Sequence, residues 1–397
     1  MNIVFVYDRQ IIPSFGGLER VTHLLAQELK SRGHAVTFLN IGSEDNLQEE
    51  IGEIEQLYLP VYSLPEETFR KEFQKLLDNF GADIVIYQGN SKEILKCIQV
   101  PVQGVAKISA IHFQPFPTLK KEHYIKRRAY FSDLRLKGKI LKIMALTMTP
   151  FYRKLYIRDK SALYSLLIQN SDKLVLLSPR FKDRLIRHCK AASEENVTAI
   201  NNPLTFNPQN QEKNEKQNTV LFVARMYDPQ KNMSGFIDVW KKFHKKFPDW
   251  NAFMVGSGVH LERMKKYARK QKVKNLTFTG SVKNIREYYE NAKIYCMTST
   301  FEGWGMVLTE AMALGTVPVA FDSFEAVHDI IDHGKNGLLV APFDKEGMAD
   351  ALSRLASDED YRVSLASGGK EKIGIFKVSN IVDQWEKLFQ SLVSDTQ

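Results

Sequence analysis

The chain has 397 residues, 44% hydrophobic and 25% charged, which is typical of a folded globular protein and long enough for two domains with separate cores. Its three cysteines are far apart in sequence and form no CxxC pair, which excludes a disulfide framework or a cysteine zinc site and favours a reducing compartment. The net charge of +9 is uneven: the segment from Leu119 to Lys160 has thirteen Lys or Arg against three Asp or Glu, so the rest of the chain sums to about −1.

The first predicted elements alternate between strand and helix, as in a parallel α/β fold. Asn2 to Tyr7 is predicted to be a buried strand, and no signal-peptide pattern precedes it. A loop from Asp8 to Gly17 leads into an amphipathic helix that runs to Arg32, and Ala35 to Leu39 forms the next strand. No apolar run approaches the roughly 18 residues that span a bilayer. We therefore expect neither export by a signal peptide nor an integral membrane protein.

Two polar features accompany these elements. The pair Gly16-Gly17 stands where a helix begins, so its backbone N–H groups could cradle an anion; a flexible turn is the alternative. A strand from Val105 to Ile111 ends at His112. Because carboxyl ends of parallel strands form the functional edge of such sheets, His112 is a site candidate, although a lone histidine is more often a core residue.

The segment from Pro115 to Lys160 interrupts the alternation. It combines cations with aromatic residues around an apolar stretch, Ile140 to Met148. This pattern suits an anionic membrane surface or a lipid-diphosphate acceptor. Nucleic acid would also bind such charge but is not expected, and a solvated helical hairpin is the alternative.

Beyond it, a helix is expected from Ser161 to Asn170, and the alternation then continues to Ile200. The polar run from Asn207 to Asn218 is the clearest linker. We predict three parts: residues 1–202 with an insertion at about 115–160, residues 203–377, and a C-terminal helix over 378–397.

The second part begins with a strand, Val220 to Ala224, followed by Arg225 and Lys231. Two cations on one loop at a strand's carboxyl end can clamp a diphosphate. Later, Ile294 to Met297 reads as a strand, and Glu302 and Glu310 flank a glycine-rich helix start. Since carboxylates repel phosphate, they are better suited to accept hydrogen bonds from sugar hydroxyls; an amphipathic helix with two exposed glutamates is the alternative.

The ordered set of motifs in this second half resembles retaining glycosyltransferase family 4. These motifs are Arg225 with Lys231, Val255-Gly-Ser-Gly258, Phe278-Thr-Gly280, Glu302-x7-Glu310 and Gly315-x2-Pro318-Val319.

The resemblance implies an α/β GT-B fold, with two Rossmann-like doubly wound domains facing a central cleft and the C-terminal helix crossing back to the first. The first domain would bind acceptor and the second a nucleotide sugar. The resemblance assigns catalysis to Arg225, Lys231, Glu302 and His112, with His112 contacting the donor sugar and Glu310 the ribose. It also implies a set of donor-binding residues, with no metal ligand among them: Gly16, Gly17, Gly256, Gly280, Ser281, Val282, Gly303, Trp304, Gly305, Met306, Val307 and Glu310.

The expected activity is metal-independent transfer of a sugar, with retention, from a nucleoside diphosphate, UDP by expectation, to a glycan or lipid-linked acceptor of bacterial-type surface polysaccharide or lipopolysaccharide. Cations and helix N-termini would stabilise the leaving diphosphate, so neither a divalent cation nor a cofactor is expected. Gly256-Ser-Gly258 lacks the third glycine of a dinucleotide fingerprint, which argues against a nicotinamide cofactor.

The protein is expected in the cytoplasm, bound peripherally to the inner face of the membrane through Leu119 to Lys160. The alternatives are a sugar-nucleotide epimerase on the same fold, a non-catalytic partner protein and a membrane adaptor.

Overall fold

The structure is a computed structural model that describes residues 1–42, 54–61, 64–116, 149–206 and 215–394. The chain divides into two compact units. The first consists of Met1–Phe116, Tyr152–Thr205 and Phe376–Gln397, and the second contains Phe206–Ile375.

The first unit is built on a parallel sheet of seven strands in the order β3-β2-β1-β4-β5-β6-β7. Neighbouring strands are in register, for example Ile3 of β1 with Val36 of β2 and Ile84 of β4. The strands are apolar almost throughout because helices cover both faces of a parallel sheet. The strands are β1 (Asn2–Tyr7), β2 (Ala35–Asn40), β3 (Gln56–Tyr58), β4 (Ile84–Gln88), β5 (Ala106–Ile111), β6 (Lys173–Leu176) and β7 (Val197–Ala199). The helices are α1 (Gly17–Ser31), α2 (Glu66–Phe80), α3 (Lys92–Ile98), α4 (Thr149–Gln169) and α5 (Pro179–His188).

The second unit has a parallel sheet of six strands in the order β10-β9-β8-β11-β12-β13. The strands are β8 (Gln217–Val223), β9 (Asn251–Val255), β10 (Leu276–Gly280), β11 (Ala292–Met297), β12 (Val317–Phe321) and β13 (Leu338–Val340). The helices are α6 (Asp228–Lys231), α7 (Met233–Lys246), α8 (Leu261–Lys270), α9 (Ile285–Asn291), α10 (Met306–Ala313), α11 (Val327–Ile330), α12 (Lys345–Ser357) and α13 (Glu359–Lys372). A core of buried side chains such as Phe222, Trp240 and Phe243 joins the sheet to α7.

The last helix, α14 (Val378–Ser394), belongs to the first unit and packs on α1. The Arg32 guanidinium donates to Asp383 at 2.5 Å and to Glu386 at 2.8 Å, and His34 Nε2 lies 2.9 Å from Glu386 Oε1. These bonds fasten the final helix of the chain to the helix that follows its first strand.

Two predicted boundaries were wrong. Helix α4 begins at Thr149 instead of Ser161, so it includes the end of the predicted insertion. Pro150 in its first turn suits a helix start, whereas the prediction followed the charge pattern. The predicted linker ends too late, because β8 begins at Gln217 and not after Asn218. The remainder of the insertion, including Ile140 to Met148, lies outside the described residues.

Candidate active site

The candidate site of the second unit lies at the carboxyl edge of its sheet, in the loops that follow β8, β9 and β11. Backbone hydrogen bonds continue the pairing of β8 with β9 beyond the strands: Ala224 N–H donates to Val255 O at 3.0 Å and Met226 N–H to Ser257 O at 2.8 Å. Met226 is buried, whereas Arg225 is exposed. The guanidinium of Arg225 is therefore accessible at this edge.

The short helix α6, which ends with Lys231, is fastened to the chain that follows β11. Thr298 Oγ1 donates to Lys231 O at 3.2 Å and to Asn232 O at 3.0 Å, and Thr300 N–H donates to Gln230 O at 2.7 Å. Asn232 has a φ of +49°, a left-handed conformation that asparagine tolerates better than most residues. These bonds fix the position of Lys231.

Lys231 and Glu302 form an ion pair at this edge. The Nζ to Oε1 distance is 2.6 Å, and the two side chains are only 17% and 9% exposed. Gln230 Nε2 lies 3.5 Å from the other carboxylate oxygen. An ammonium has three N–H groups and a carboxylate several acceptor positions, so each partner retains capacity to bind a ligand while holding the other in place.

Glu310 is also buried, at 3% exposure, and accepts a hydrogen bond from the Tyr289 hydroxyl at 3.0 Å. The hydroxyl of Tyr295 donates to Val223 O at 3.2 Å. Burial raises the pKa of Tyr295 well above its usual value, and the negative charges of Glu302 and Glu310 raise it further. Both carboxylates therefore lie near the same buried ring, and neither is the exposed helical glutamate of the alternative interpretation.

The loop Gly303–Gly305 leads into α10, with Gly305 as its N-cap at a φ of +92°. A Cβ on Gly305 would lie 3.1 Å from Phe324 Cζ, so this position is both strained and crowded for any other residue. Met306 and Val307, the first residues of α10, are half-buried. Helix α10 thus begins four residues after Glu302, and the N–H groups of its first turn could bind an anion.

The loops after β9 and β10 meet at the same edge. Gly256 has a φ of +129°, and a Cβ there would lie 2.0 Å from Ala224 O, so only glycine fits. Its N–H donates to Gly280 O at 2.8 Å, and the Ser257 and Ser281 hydroxyls are 2.7 Å apart. The structure therefore brings together the predicted donor residues Gly256, Gly280 and Ser281, at the ends of β9 and β10, next to the chain that follows β8.

In the first unit, the carboxylate of Glu19 lies beside the predicted anion cradle Gly16-Gly17, and the sequence analysis did not foresee it. Gly16 is the N-cap of α1, and a Cβ there would lie 2.6 Å from Oε2 of Glu19. Glu19 is buried and accepts from the Tyr7 hydroxyl at 3.4 Å. An anion at this helix start would lie close to a negative charge.

His112 follows β5 in the first unit, and its Nε2 lies 2.5 Å from Gln88 Oε1. Its Nδ1 is buried and has no hydrogen-bond partner among the described residues. Burial lowers the pKa of His112 to about 4, so the ring is neutral at pH 7. With the proton on Nε2, Nδ1 can accept a hydrogen bond from a hydroxyl.

Among the described residues, no group of three His, Cys, Asp or Glu side chains could hold a metal ion. We expected no Asp-x-Asp sequence in the second half of the chain, and this expectation was wrong, because Asp358-Glu-Asp360 is one. Asp358 caps α13, since its carboxylate accepts from Tyr361 N–H at 2.9 Å. Within the described ranges, no helix is long and apolar enough to cross a membrane.

Several site residues carried no signal in the sequence. Tyr289 and Tyr295 belong to an ordinary helix and strand, and Gln230 stands in a polar loop. Their roles depend on the pairing of β8 with β11, strands that are about seventy residues apart.

Two family models match consecutive parts of the chain. Residues 15–205 match the model described as Glycosyltransferase Family 4, and residues 205–372 match the model described as Glycosyl transferases group 1.

Individual proteins that are similar to this chain are also named as glycosyltransferases. An uncharacterized glycosyltransferase of Haemophilus influenzae is 26% identical over 381 residues, covering 94% of this chain and 96% of its own length. The Campylobacter jejuni enzyme named GalNAc-α-(1→4)-GalNAc-α-(1→3)-diNAcBac-PP-undecaprenol α-1,4-N-acetyl-D-galactosaminyltransferase is 24% identical over 375 residues, covering 94% of each chain. The fold matches a crystal structure of an S. aureus TarM mutant in complex with fondaparinux, α-GlcNAc-glycerol and UDP, with a TM-score of 0.75, 13% identity and coverage of 98% of this chain and 99% of that one.

Two parallel-sheet Rossmann-like units and these structural neighbours define the GT-B class of α/β transferases, as predicted from the motifs. The chain belongs to the family 4 glycosyltransferases.

Proposed function

We propose that this glycosyltransferase moves a sugar from a nucleoside diphosphate, UDP, to a hydroxyl of a glycan or lipid-linked acceptor, with retention of configuration and without a metal ion. The acceptor belongs to bacterial surface polysaccharide or lipopolysaccharide assembly.

The observation that carries the proposal is the Lys231–Glu302 ion pair at the sheet edge, 2.6 Å long and mostly shielded from water. A cation and a carboxylate held side by side match a ligand that combines a phosphate with hydroxyl groups. Lys231 and the exposed Arg225 are assigned to the diphosphate, and Glu302 to the sugar hydroxyls. Glu310 is assigned to the ribose, with Tyr289 holding its carboxylate.

The transfer needs one bond to break and one to form at the anomeric carbon. The bond from that carbon to the diphosphate oxygen breaks as the acceptor oxygen attacks from the same face, and the leaving phosphate takes the acceptor's proton. Negative charge grows on the diphosphate, and Arg225, Lys231 and the α10 N-terminus stabilise it. Glu302 holds Lys231 in position before the donor arrives, so little reorganisation is required.

The neutral His112 is assigned to a hydroxyl of the donor sugar, with Nδ1 as the acceptor. The Gly16-Gly17 pair remains assigned to the donor phosphates. The carboxylate of Glu19 beside Gly16 makes that assignment the weaker of the two, because it repels a phosphate.

The relatives support the choice of substrates. The TarM complex contains UDP, and the Campylobacter enzyme acts on a glycan linked to undecaprenol diphosphate. A lipid-borne acceptor would place the protein at the cytoplasmic face of the membrane. Attachment through Leu119 to Lys160 remains part of the proposal, although residues 117–148 lie outside the described ranges.

The test is a screen of nucleotide sugars against a lipid-linked glycan fraction, followed by release of the nucleotide and by mass spectrometry of the product. We expect turnover with a UDP-sugar and a product heavier by one sugar. Nucleotide sugar converted to an isomer without any acceptor would support an epimerase instead, and no turnover with any donor would support a non-catalytic role.

A further inference from the structure

A second basic segment lies in the second unit. Residues 241–274 contain eleven Lys or Arg and only two Asp or Glu. The sequence interpretation placed the excess charge in Leu119 to Lys160 alone. That conclusion was wrong, because acidic residues elsewhere cancel the second segment in the total.

The cations of this segment gather on one side of α8. Met264 and Ala268 bury the inner side of the helix against the core. Lys266, Arg269 and Lys270 lie on the outer side and are exposed. Two more exposed lysines follow in the loop to β10. We call this group the α8 cation face, and it consists of Lys266, Arg269, Lys270, Lys272 and Lys274.

Two α7 cations of the same segment are paired with carboxylates, whereas those of the α8 cation face are not. On α7, Lys242 pairs with Glu346 and Lys246 with Asp350, both carboxylates belonging to α12. Within the described ranges, none of the five cations of the α8 cation face forms an ion pair.

Glu262, the acidic residue of α8, pairs with Lys265 at 2.8 Å. The hydrogen bond and charge of Lys265, together with the charges of Arg269 and Lys266, lower the pKa of the Glu262 carboxyl. The lone acid is therefore already engaged, and the face remains strongly positive.

Like charges held together on a rigid helix repel one another, and an anionic partner relieves that repulsion. The chemistry of the face favours a lipid surface over a nucleic acid. Sequence-tolerant binding of single strands combines cations with exposed aromatic rings on which bases stack. In residues 241–274 the exposed large apolar side chain is Val259, which has no ring.

We propose that the α8 cation face adsorbs to an anionic lipid bilayer. This surface lies in the second unit and is separate from Leu119 to Lys160. The proposal does not depend on the donor or acceptor assigned above.

The test compares three full-length proteins: wild type, Lys266→Gln/Arg269→Gln/Lys270→Gln, and a control, Arg70→Gln/Lys71→Gln/Lys75→Gln. The control changes the net charge by the same amount, at exposed residues of α2 that each pair with a glutamate. Each protein is sedimented with vesicles of phosphatidylcholine containing phosphatidylglycerol, and with vesicles of phosphatidylcholine alone, over a range of salt. Thermal unfolding checks that all three proteins are folded.

We expect the α8 variant to bind anionic vesicles roughly tenfold or more weakly than wild type at low salt, and the control to change little. Wild-type binding should weaken as salt rises and be absent on neutral vesicles. Equal binding of the α8 variant and the control would overturn the proposal, because Leu119 to Lys160 is intact in both. So would a wild type that ignores anionic vesicles, or an α8 variant that loses affinity for a single-stranded RNA but keeps its affinity for vesicles.

Discussion

The ion pair of Lys231 with Glu302 is expected to contribute both to catalysis and to stability. Arg225→Ala and Lys231→Ala should each lower turnover roughly a hundredfold, because each removes charge opposite the leaving diphosphate. Lys231→Ala should also lower the free energy of unfolding by about 1–3 kcal/mol, since it leaves Glu302 mostly buried without its partner. Arg225→Ala should change the free energy of unfolding little, because Arg225 is exposed.

Steady-state kinetics and urea unfolding separate the two effects. The double variant Lys231→Met/Glu302→Gln should regain stability relative to Lys231→Met but remain inactive. Wild-type rates in folded Arg225→Ala or Lys231→Ala would contradict the assignment to the diphosphate.

Glu310→Ala should mainly raise the KM of the donor, because a ribose contact exists in the ground state and transition state alike. Tyr289→Phe should raise it less, since it removes one hydrogen bond to the carboxylate. Donor titrations with both variants would measure this. A fall in kcat with an unchanged KM would show that Glu310 does not bind the ribose.

The imidazole of His112 should make the free energy of unfolding depend on pH. Burial lowers its pKa in the folded protein from 6.5 to about 4, so between these values the unfolded chain binds the proton more readily. The contribution of His112 to stability is therefore fully present above pH 6.5 and is lost as the pH falls towards 4, by on the order of 3 kcal/mol. Urea unfolding at pH 7.5 and 4.5 should show a smaller loss for His112→Gln than for wild type. Equal losses would mean that His112 is not held neutral.

Among the elements of the second unit, the half-buried Lys216 joins the helix that carries Tyr289 to the loop after the helix that carries Glu310. Lys216 Nζ donates to Tyr289 O and Glu290 O at 2.9 Å, to Ala292 O at 3.1 Å and to Thr316 Oγ1 at 3.1 Å. These carbonyls end α9, and a lysine is a suitable donor to them. Burial, reinforced by Lys370, lowers the pKa of Lys216 from 10.5 to about 7.

Lys216→Met should cost about 2 kcal/mol of stability at pH 7, because buried carbonyls lose their donor. Between pH 7 and 10.5 the unfolded chain holds the lysine's proton more tightly than the folded one, so wild-type stability gains with rising pH from this group. The difference in unfolding free energy between wild type and Lys216→Met should therefore grow from pH 7 to pH 9. A difference that stays constant would show that Lys216 does not titrate there.

Elements with a strong local pattern could be predicted from the sequence. The strand Asn2–Tyr7 was predicted with the bounds that the structure has, since a buried strand produces a regular apolar pattern. The strand β3 was missed because its three residues are too few to show a period. Helix α4 was begun too late because its first turns carry mixed cations and aromatics.

The site was predicted as a set of residues but not as a set of contacts. Motif order was enough to select Lys231, Glu302 and Glu310. The pairing of Lys231 with Glu302, and of Glu310 with Tyr289, depends on which strands are neighbours in the sheet, and one sequence does not contain that information. Burial of Glu19 beside Gly16 was missed because the contact of its carboxylate with the Tyr7 hydroxyl is not visible in the sequence.

At the scale of the whole molecule, composition alone is a weak guide to how charge is used. A net charge of +9 conceals two basic segments, Leu119 to Lys160 and residues 241–274, because acidic residues elsewhere offset the charge of the second. The family assignment is independent of this pattern, because it depends on the two parallel sheets and on matches that run from residue 15 to residue 372.

We propose that the protein's own cations, without a metal, drive transfer of a sugar with retention of its anomeric configuration. The most direct test is proton NMR of the product formed from an α-linked UDP-sugar in the presence of EDTA. We expect an α-linked product at a rate that EDTA does not change. A β-linked product, or a reaction that stops in EDTA and resumes only when Mg²⁺ or Mn²⁺ is added, would contradict it.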